Sequence, residues 1–154
     1  PILIRQQLES AKVLSAGRHA FHAQIDALNI KGSEQEIASV VGNLLSNAVR
    51  YTPEGGEIFL SWSINEQGRA TLVVRDSGNG IAAEHLPRLT ERFYRVNTAQ
   101  SRATKGTGLG LAIVKHVLIR HHAQLSITSV VAPAPNQGTT FTVAFPKEAL
   151  VSVP

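Results

Sequence analysis

The spacing of apolar residues predicts three amphipathic helices, over residues 1–17, 33–52 and 111–121. In the first helix, apolar residues recur at steps of four and three, at Ile4, Leu8, Ala11 and Leu14. The second helix begins with Ser33 and Glu36, which form the pattern of a capping box. The third follows directly on a glycine-rich turn. The helices are separated by segments in which apolar residues have a different period.

In those segments apolar and polar residues alternate, which is the period of half-buried strands. The alternation covers residues 21–25, 58–64, 69–76, 125–127 and 141–145. Turn residues join the second of these strands directly to the third, as in a hairpin, so we expect antiparallel pairs to dominate. We therefore predict an α+β two-layer sandwich, in which a mixed, mostly antiparallel sheet is covered on one face by helices.

The composition is that of an ordinary globular domain. At 154 residues, of which 43% are hydrophobic and 17% charged, the chain is expected to fold as one unit. No stretch approaches the ~18 uncharged apolar residues of a bilayer-spanning helix, which predicts a soluble fragment. The sequence contains no cysteine, so disulfide bonds, thiolate catalysis and cysteine-ligated metals are excluded and a cytoplasmic setting is favoured.

The formal net charge of +4 is concentrated in one segment. Residues 88–105 hold five basic residues against one acidic residue, a local surplus equal to that of the whole chain. The basic residues are Arg88, Arg92, Arg95, Arg102 and Lys105. Because the surplus of positive charge is confined to one loop, we expect the ligand to be a phosphorylated small molecule rather than a long stretch of nucleic acid. The alternative is a solvated loop that binds no ligand.

The predicted helix 33–52 carries a polar stripe beside its apolar face. Asn43, Asn47 and Arg50 follow each other at steps of four and three, so their side chains share one side of the helix. A carboxamide oxygen is a hard, neutral ligand that can complete the shell of a Mg²⁺ ion bound to phosphates. The alternative is a solvated helix face, which is common on amphipathic helices.

Asp76 ends a predicted strand on the same face as Leu72 and Val74, so it is expected to point toward the buried side. A buried carboxylate needs hydrogen-bond donors, and the exocyclic amino group of a purine could be one. Gly78 and Gly80 would let the backbone approach a flat ligand and adopt positive φ where needed. The alternative is an Asx turn, in which nearby backbone amides satisfy Asp76.

The glycine-rich turn at residues 106–110 leads into the predicted helix 111–121. Backbone amides at the start of a helix, together with the helix dipole, favour a bound anion such as phosphate. The turn lacks the Gly-Lys-Ser/Thr ending of a P-loop, and it follows a polar loop rather than the strand of a dinucleotide fingerprint. A helix start without a ligand is the alternative.

The histidines give no sign of a metal site. His121 and His122 are adjacent, so on a helix they point about 100° apart and cannot form a metal-binding pair. We expect both to belong to a solvated helix end.

In their order along the chain, these motifs resemble the sequence boxes of bacterial sensor histidine kinases. The resemblance covers roughly residues 20–146 and consists of an N box at 43–51, a G1 box at 76–81, an F box at 91–95, a G2 box at 106–115 and a short final box at 138–141. Residues 84–96 look particularly like the phosphate-regulon members of that family.

The resemblance implies the GHKL (Bergerat) ATPase fold, which heat-shock chaperone ATPases, type II topoisomerases and MutL proteins share. It implies that ATP and Mg²⁺ are bound. Asp76 would accept a hydrogen bond from the adenine amino group, Asn47 would bind Mg²⁺, and Asn43 would support the phosphates. Asn47 and Arg50 would be the catalytic residues.

The resemblance also places further residues around the nucleotide: Tyr51, Gly78, Gly80, Ile81, Phe93, Arg95, Lys105, Gly106, Thr107, Gly108, Leu109, Gly110, Leu111 and Thr140. Among these, Phe93 would anchor a lid and Thr140 would lie near the adenine. Lys105 stands where family members often have glycine, so it could reduce the flexibility of the lid or add a phosphate contact.

By this resemblance, the γ-phosphoryl group of Mg·ATP would pass to a histidine on a separate dimerisation domain. No histidine here precedes the Glu-x-x-x-Pro type of context that marks a phosphoacceptor. Residues 1–17 would then be the tail of a linker helix, residues 18–148 the catalytic domain and residues 149–154 a tail.

The parent receptor would be a homodimer anchored in the inner membrane, with this monomeric domain in the cytoplasm, a response regulator as partner and no nucleic acid. Two alternatives are a GHKL-type ATPase clamp and a basic nucleic-acid-binding module. The clamp ATPases use a glutamate, where this chain has Asn43, to activate water.

Overall fold

The computed structural model describes residues 2–88 and 110–151. Its elements are α1 (Ile2–Ser15), β1 (Ala20–Ile25), β2 (Asn29–Ile30), α2 (Glu34–Tyr51), β3 (Glu57–Ile64), β4 (Ala70–Asp76), a 3₁₀ segment (Ala83–Arg88), α3 (Gly110–Arg120), β5 (Gln124–Val130), β6 (Gly138–Ala144), a second 3₁₀ segment (Lys147–Ala149) and β7 (Leu150–Val151). None of the helices in these two described ranges is long and apolar enough to cross a membrane.

Five strands form one sheet in the order β1-β3-β4-β6-β5. The β3–β4, β4–β6 and β5–β6 pairs are antiparallel, whereas β1 and β3 run parallel. The parallel pair follows from the chain path, because α2 lies between β1 and β3 and returns the chain to the same end of the sheet. The predicted mixed, mostly antiparallel sheet is confirmed.

The helices form the second layer of the sandwich. Helix α2 packs between α1 and α3 and against β4, and its buried face consists of Val40, Val41, Leu44, Leu45, Ala48 and Val49. These side chains meet the inward residues of the central strands, such as Leu60, Leu72 and Phe141. The hydrophobic core therefore lies between the sheet and the helix layer, as the apolar spacing predicted.

The structure differs from the predicted elements in two places. In α1 the buried position after Ala11 is Ser15, while Leu14 is 44% exposed, so the buried stripe runs one residue later than expected. The strands β2 and β7 form a separate antiparallel pair, in which Asn29 and Ile30 lie opposite Val151 and Leu150. Each strand has two residues, which is too short for any alternation to be visible in the sequence.

The capping box at the start of α2 is only half formed. Ser33 Oγ accepts a hydrogen bond from the Glu36 amide at 3.3 Å, as predicted. The Glu36 carboxylate instead pairs with Arg120 at 3.0 Å, and the Ser33 amide donates to His121 Nε2 at 3.2 Å. The expectation that His121 belongs to a solvated helix end is therefore wrong, because its half-buried ring joins the end of α3 to the start of α2.

Candidate functional site

The last residue of β4 places a carboxylate in the core layer. Asp76 lies opposite Ile58 of β3, on the inward face of the sheet with Leu72 and Val74, and is 5% exposed. The predicted inward direction of Asp76 is confirmed. A carboxylate in this position loses most of its hydration, so its hydrogen-bond partners decide what it can do.

Two backbone amides donate to one oxygen of Asp76. The Gly78 amide lies 2.9 Å from Oδ1, which forms an Asx turn, and the Thr139 amide on β6 lies 3.3 Å from the same atom. Both hydrogen bonds that Asp76 accepts within the described residues reach Oδ1. The predicted Asx turn is thus confirmed for Oδ1, and Oδ2 takes no part in it.

Burial raises the pKa of Asp76 from 3.8 to about 6, although the amide bonds from Gly78 and Thr139 and the charge of Arg75 act in the opposite direction. The carboxylate is therefore ionised at neutral pH at a cost in free energy. A ligand that donates a hydrogen bond to the ionised form would offset part of this cost. Perturbed pKa values of this kind are frequent at binding sites.

The loop after Asp76 packs tightly against its neighbours. A Cβ atom on Gly78 would lie 2.7 Å from the Tyr51 carbonyl oxygen at the end of α2. Gly80 has a φ of +77°, as the sequence allowed, and a Cβ there would overlap the Val130 carbonyl oxygen. A Cβ on Gly138 would overlap the Asp76 carbonyl oxygen. These glycines bring the end of α2, the loop and the β5–β6 connection together.

Residues on β5 and β6 contact the loop after Asp76. The Ile81 amide donates to Ser129 Oγ at 2.7 Å, a contact across 48 residues that no local sequence pattern predicts. Thr140 lies opposite Arg75 and so faces the outer side of the sheet, away from Asp76. Its neighbour Thr139 is buried and takes the position beside Asp76.

A second group of candidate residues forms the polar stripe on α2. The Asn43 Nδ2 group donates to the Ser39 carbonyl oxygen at 2.7 Å and to Ser39 Oγ at 3.1 Å. Asn47 is half-buried, and in the described part of the chain no hydrogen bond engages its carboxamide. Arg50 is exposed and Tyr51 half-buried at the end of the helix.

The start of α3 faces this stripe. A Cβ on Gly110 would lie 2.8 Å from Asn43 Oδ1, so the carboxamide oxygen is directed at the first turn of α3. The next residue, Leu111, is half-buried and packs against the hydrophobic core. The structure thus brings together the predicted site residues of α2, the loop after Asp76 and the start of α3.

Some of the predicted site residues lie outside the described residues: Phe93, Arg95, Lys105, Gly106, Thr107, Gly108 and Leu109. The basic segment that they belong to falls outside as well, apart from Arg88. Within 2–88 and 110–151, no group of three or more His, Asp or Glu side chains is arranged to hold a metal ion. The carboxamides of Asn43 and Asn47 on α2 carry oxygens of the kind that Mg²⁺ accepts.

Comparison with known proteins identifies the family of this chain. Residues 32–149 match the family model described as histidine kinase-, DNA gyrase B- and HSP90-like ATPase. Over 138 residues the chain is 54% identical to the phosphate regulon sensor protein PhoR of Pseudomonas aeruginosa, a match that covers 88% of this chain and 30% of that protein. The chain thus spans less than a third of the length of this relative.

The fold is that of solved histidine kinase domains. The mycobacterial sensor histidine kinase MprB is 30% identical with a TM-score of 0.83, covering 94% of this chain and 93% of that one. Full-length ShkA in complex with AMPPNP is 25% identical with a TM-score of 0.76, covering 98% of this chain and 30% of that one. The chain belongs to the histidine kinase-, DNA gyrase B- and HSP90-like ATPase family, as a histidine kinase ATPase domain.

Proposed function

We propose that this domain binds Mg·ATP through the residues described above and transfers its γ-phosphoryl group to a histidine on a separate dimerisation domain. The observation that carries the proposal is the buried carboxylate of Asp76, whose Oδ1 accepts from two backbone amides. In the proposed complex Oδ2 would accept from the ligand. Similarity to sensor histidine kinases over most of the chain supports the choice of reaction.

Asp76 would recognise adenine through its amino group. The amino group of adenine can donate to Oδ2, whereas guanine has a carbonyl oxygen at the same ring position and would face the carboxylate with an acceptor. Gly78 has no side chain, so the loop packs directly against the Tyr51 carbonyl oxygen and its amide reaches Oδ1 of Asp76. The carboxylate of Asp76 would therefore give the domain its selectivity for adenine nucleotides.

Phosphate binding would fall to α2 and the start of α3. Asn47 would supply an oxygen to Mg²⁺, and Asn43 would support the phosphates beside Gly110. Arg50, Lys105 and the amides of the glycine-rich turn would add positive charge around them. Bound Mg²⁺ would neutralise charge on the phosphates, and the remaining task of these residues is to hold the γ-phosphoryl group in line.

The position of Asn43 favours a kinase over a clamp ATPase. A clamp ATPase needs a base near the phosphates to activate water, and a carboxamide cannot accept that proton. Asn43 is held by Ser39 and directed at the first turn of α3, which suits a positioning role. The fragment would consequently hydrolyse ATP slowly without its acceptor domain.

At the level of the whole receptor, we propose phosphate-starvation sensing, by similarity to the phosphate regulon sensor protein PhoR. The receptor would be a homodimer anchored in the inner membrane, with this domain as a monomeric cytoplasmic unit. Its partners would be its own dimerisation domain and a response regulator. A nucleic-acid-binding function would need a steep dependence of binding on salt concentration.

Phosphoryl transfer can be tested with two purified domains. The domain would be mixed with radiolabelled Mg·ATP and the separately purified dimerisation domain of its own receptor. We expect label on the acceptor histidine, and none when that histidine is replaced by glutamine. Rapid ATP hydrolysis by this domain alone, without transfer, would instead support the clamp ATPase.

A further inference from the structure

We propose that Ser129 is a positioning residue for the nucleotide site, because its hydroxyl group joins the two segments that hold the Asp76 carboxylate. The inference rests on the proposed function, since it assigns Ser129 a part in nucleotide binding. Ser129 itself lies on β5 and makes no hydrogen bond to Asp76 among the described residues. It would act through its neighbours.

The hydroxyl group of Ser129 uses all of its hydrogen-bonding capacity. Its Oγ lies 2.7 Å from the Ile81 amide nitrogen, 3.1 Å from the Gly138 carbonyl oxygen and 2.9 Å from Thr139 Oγ1. A hydroxyl group has one donor and two acceptor sites. Ser129 therefore donates to Gly138 and accepts from Ile81 and from the Thr139 hydroxyl. An alanine at this position would leave three groups without their partner.

These partners belong to the two segments that donate to Asp76. Ile81 ends the loop whose Gly78 amide donates to Oδ1, and Thr139 supplies the second amide from β6. The loop and the β5–β6 connection touch directly, because a Cβ on Gly80 would overlap the Val130 carbonyl oxygen. Strand pairing holds the backbone of Thr139, and the hydroxyl of Ser129 links its side chain to the loop after Asp76, so loss of this link would shift the Thr139 amide relative to Asp76.

Loss of this hydroxyl should change Asp76 in a measurable direction. The amide bonds from Gly78 and Thr139 both lower the pKa of Asp76, which burial raises to about 6. If the Thr139 amide moves away, the pKa of Asp76 rises further, since one bond that favours the ionised form is weakened. Arg75, the charged residue that also acts on this carboxylate, is the same in every variant.

The test compares Ser129→Ala with Ser126→Ala, a control on the same strand whose side chain is exposed. Affinity for Mg·ADP would be measured by calorimetry from pH 5 to 8, and the pKa of Asp76 by NMR titration of its carboxyl carbon in the ligand-free domain. For Ser129→Ala we expect about fivefold weaker binding at pH 7.5 and an Asp76 pKa higher by about half a unit. Ser126→Ala should change neither quantity.

A wild-type affinity and an unchanged Asp76 pKa in Ser129→Ala would overturn the inference. So would a lower thermal midpoint with an unchanged Asp76 pKa, which is the signature of a structural residue only. If Ser129→Ala does not fold, Thr139→Val removes the Thr139–Ser129 bond from the other side, and the same pKa rise is expected. If the wild-type domain binds no nucleotide, the proposed function fails, while the NMR titration still decides the positioning of Asp76.

Discussion

Gly110, the first residue of α3, lies so close to Asn43 of α2 that a Cβ atom on Gly110 would be 2.8 Å from Asn43 Oδ1. The carboxamide is held on its other side, because Nδ2 donates to the Ser39 carbonyl oxygen at 2.7 Å. The first residue of α3 and the polar stripe of α2 are thus in close contact. This contact joins two of the segments that we assign to the phosphates.

Gly110→Ala should therefore weaken nucleotide binding more than it changes the fold. The new methyl group would displace the end of the Asn43 side chain, which can rotate at small cost to the core. We expect about tenfold weaker Mg·ADP binding by calorimetry, equivalent to about 1.4 kcal/mol. The thermal midpoint of the ligand-free domain should change by no more than about 3 °C.

Gly42→Ala is a matched control for this substitution. A Cβ on Gly42 would lie 2.8 Å from another carboxamide oxygen, Gln7 Oε1 of helix α1. The added methyl group meets the same kind of side-chain oxygen, but between α2 and α1 rather than between α2 and α3. Equal losses of affinity in the two variants would contradict a specific contribution from Gly110 and Asn43.

The stability of the ligand-free domain should depend on pH through Asp76. Its pKa is raised from 3.8 to about 6 on folding, so the native state binds the proton more tightly than the unfolded state. The favourable contribution is complete below about pH 3.8 and is lost as the pH rises through about 6, a difference of about 3 kcal/mol for two pKa units.

Asp76→Asn removes this titration and keeps an oxygen for the two amides. The thermal midpoint of the variant relative to wild type should therefore increase between pH 4.5 and pH 7.5, measured without ligand. A difference that is the same at both values would show that the burial of charge at Asp76 has no energetic effect.

The fold and the site were predictable from the sequence to different degrees. The apolar face of α2 and the β3–β4 hairpin could be predicted because the spacing of apolar residues repeats regularly over many consecutive positions. Thr139 and Thr140 lie on opposite faces of the sheet, and strand register decides which of the two faces the core. A shift of one residue would exchange them. Ser129 bonds to Ile81 and His121 bonds to Ser33 across 48 and 88 residues of sequence, so no local pattern could indicate these two contacts.

Asn47→Ala should lower the magnesium dependence of ATP binding. The side chain is half-buried and would offer its oxygen to Mg²⁺. Titrations with a non-hydrolysable ATP analogue, in Mg²⁺ and in EDTA, should differ less for the variant than for wild type. A large loss of thermal stability without ligand, with the magnesium effect intact, would assign Asn47 to the fold instead.

The buried contact between His19 and Thr52 should stabilise the end of α2. His19 Nε2 donates to the Thr52 carbonyl oxygen at 2.6 Å, and Ser15 Oγ lies 2.8 Å from the other ring nitrogen. His19→Phe would leave the carbonyl without this donor and should cost about 1–3 kcal/mol in urea unfolding. His19→Gln, whose amide can reach the same carbonyl, should cost less, and equal losses would exclude the hydrogen bond as the cause.

Adenine recognition by Asp76 is tested most directly by calorimetric titration of the wild-type domain and Asp76→Asn with Mg·ADP and Mg·GDP. We expect the wild type to bind Mg·ADP and to discriminate against Mg·GDP. Asp76→Asn should lose roughly ten- to a hundredfold in Mg·ADP affinity, as expected for a hydrogen bond to a charged group. Equal binding of the two nucleotides by the wild type, or an unchanged Mg·ADP affinity in Asp76→Asn, would contradict the assignment of this site.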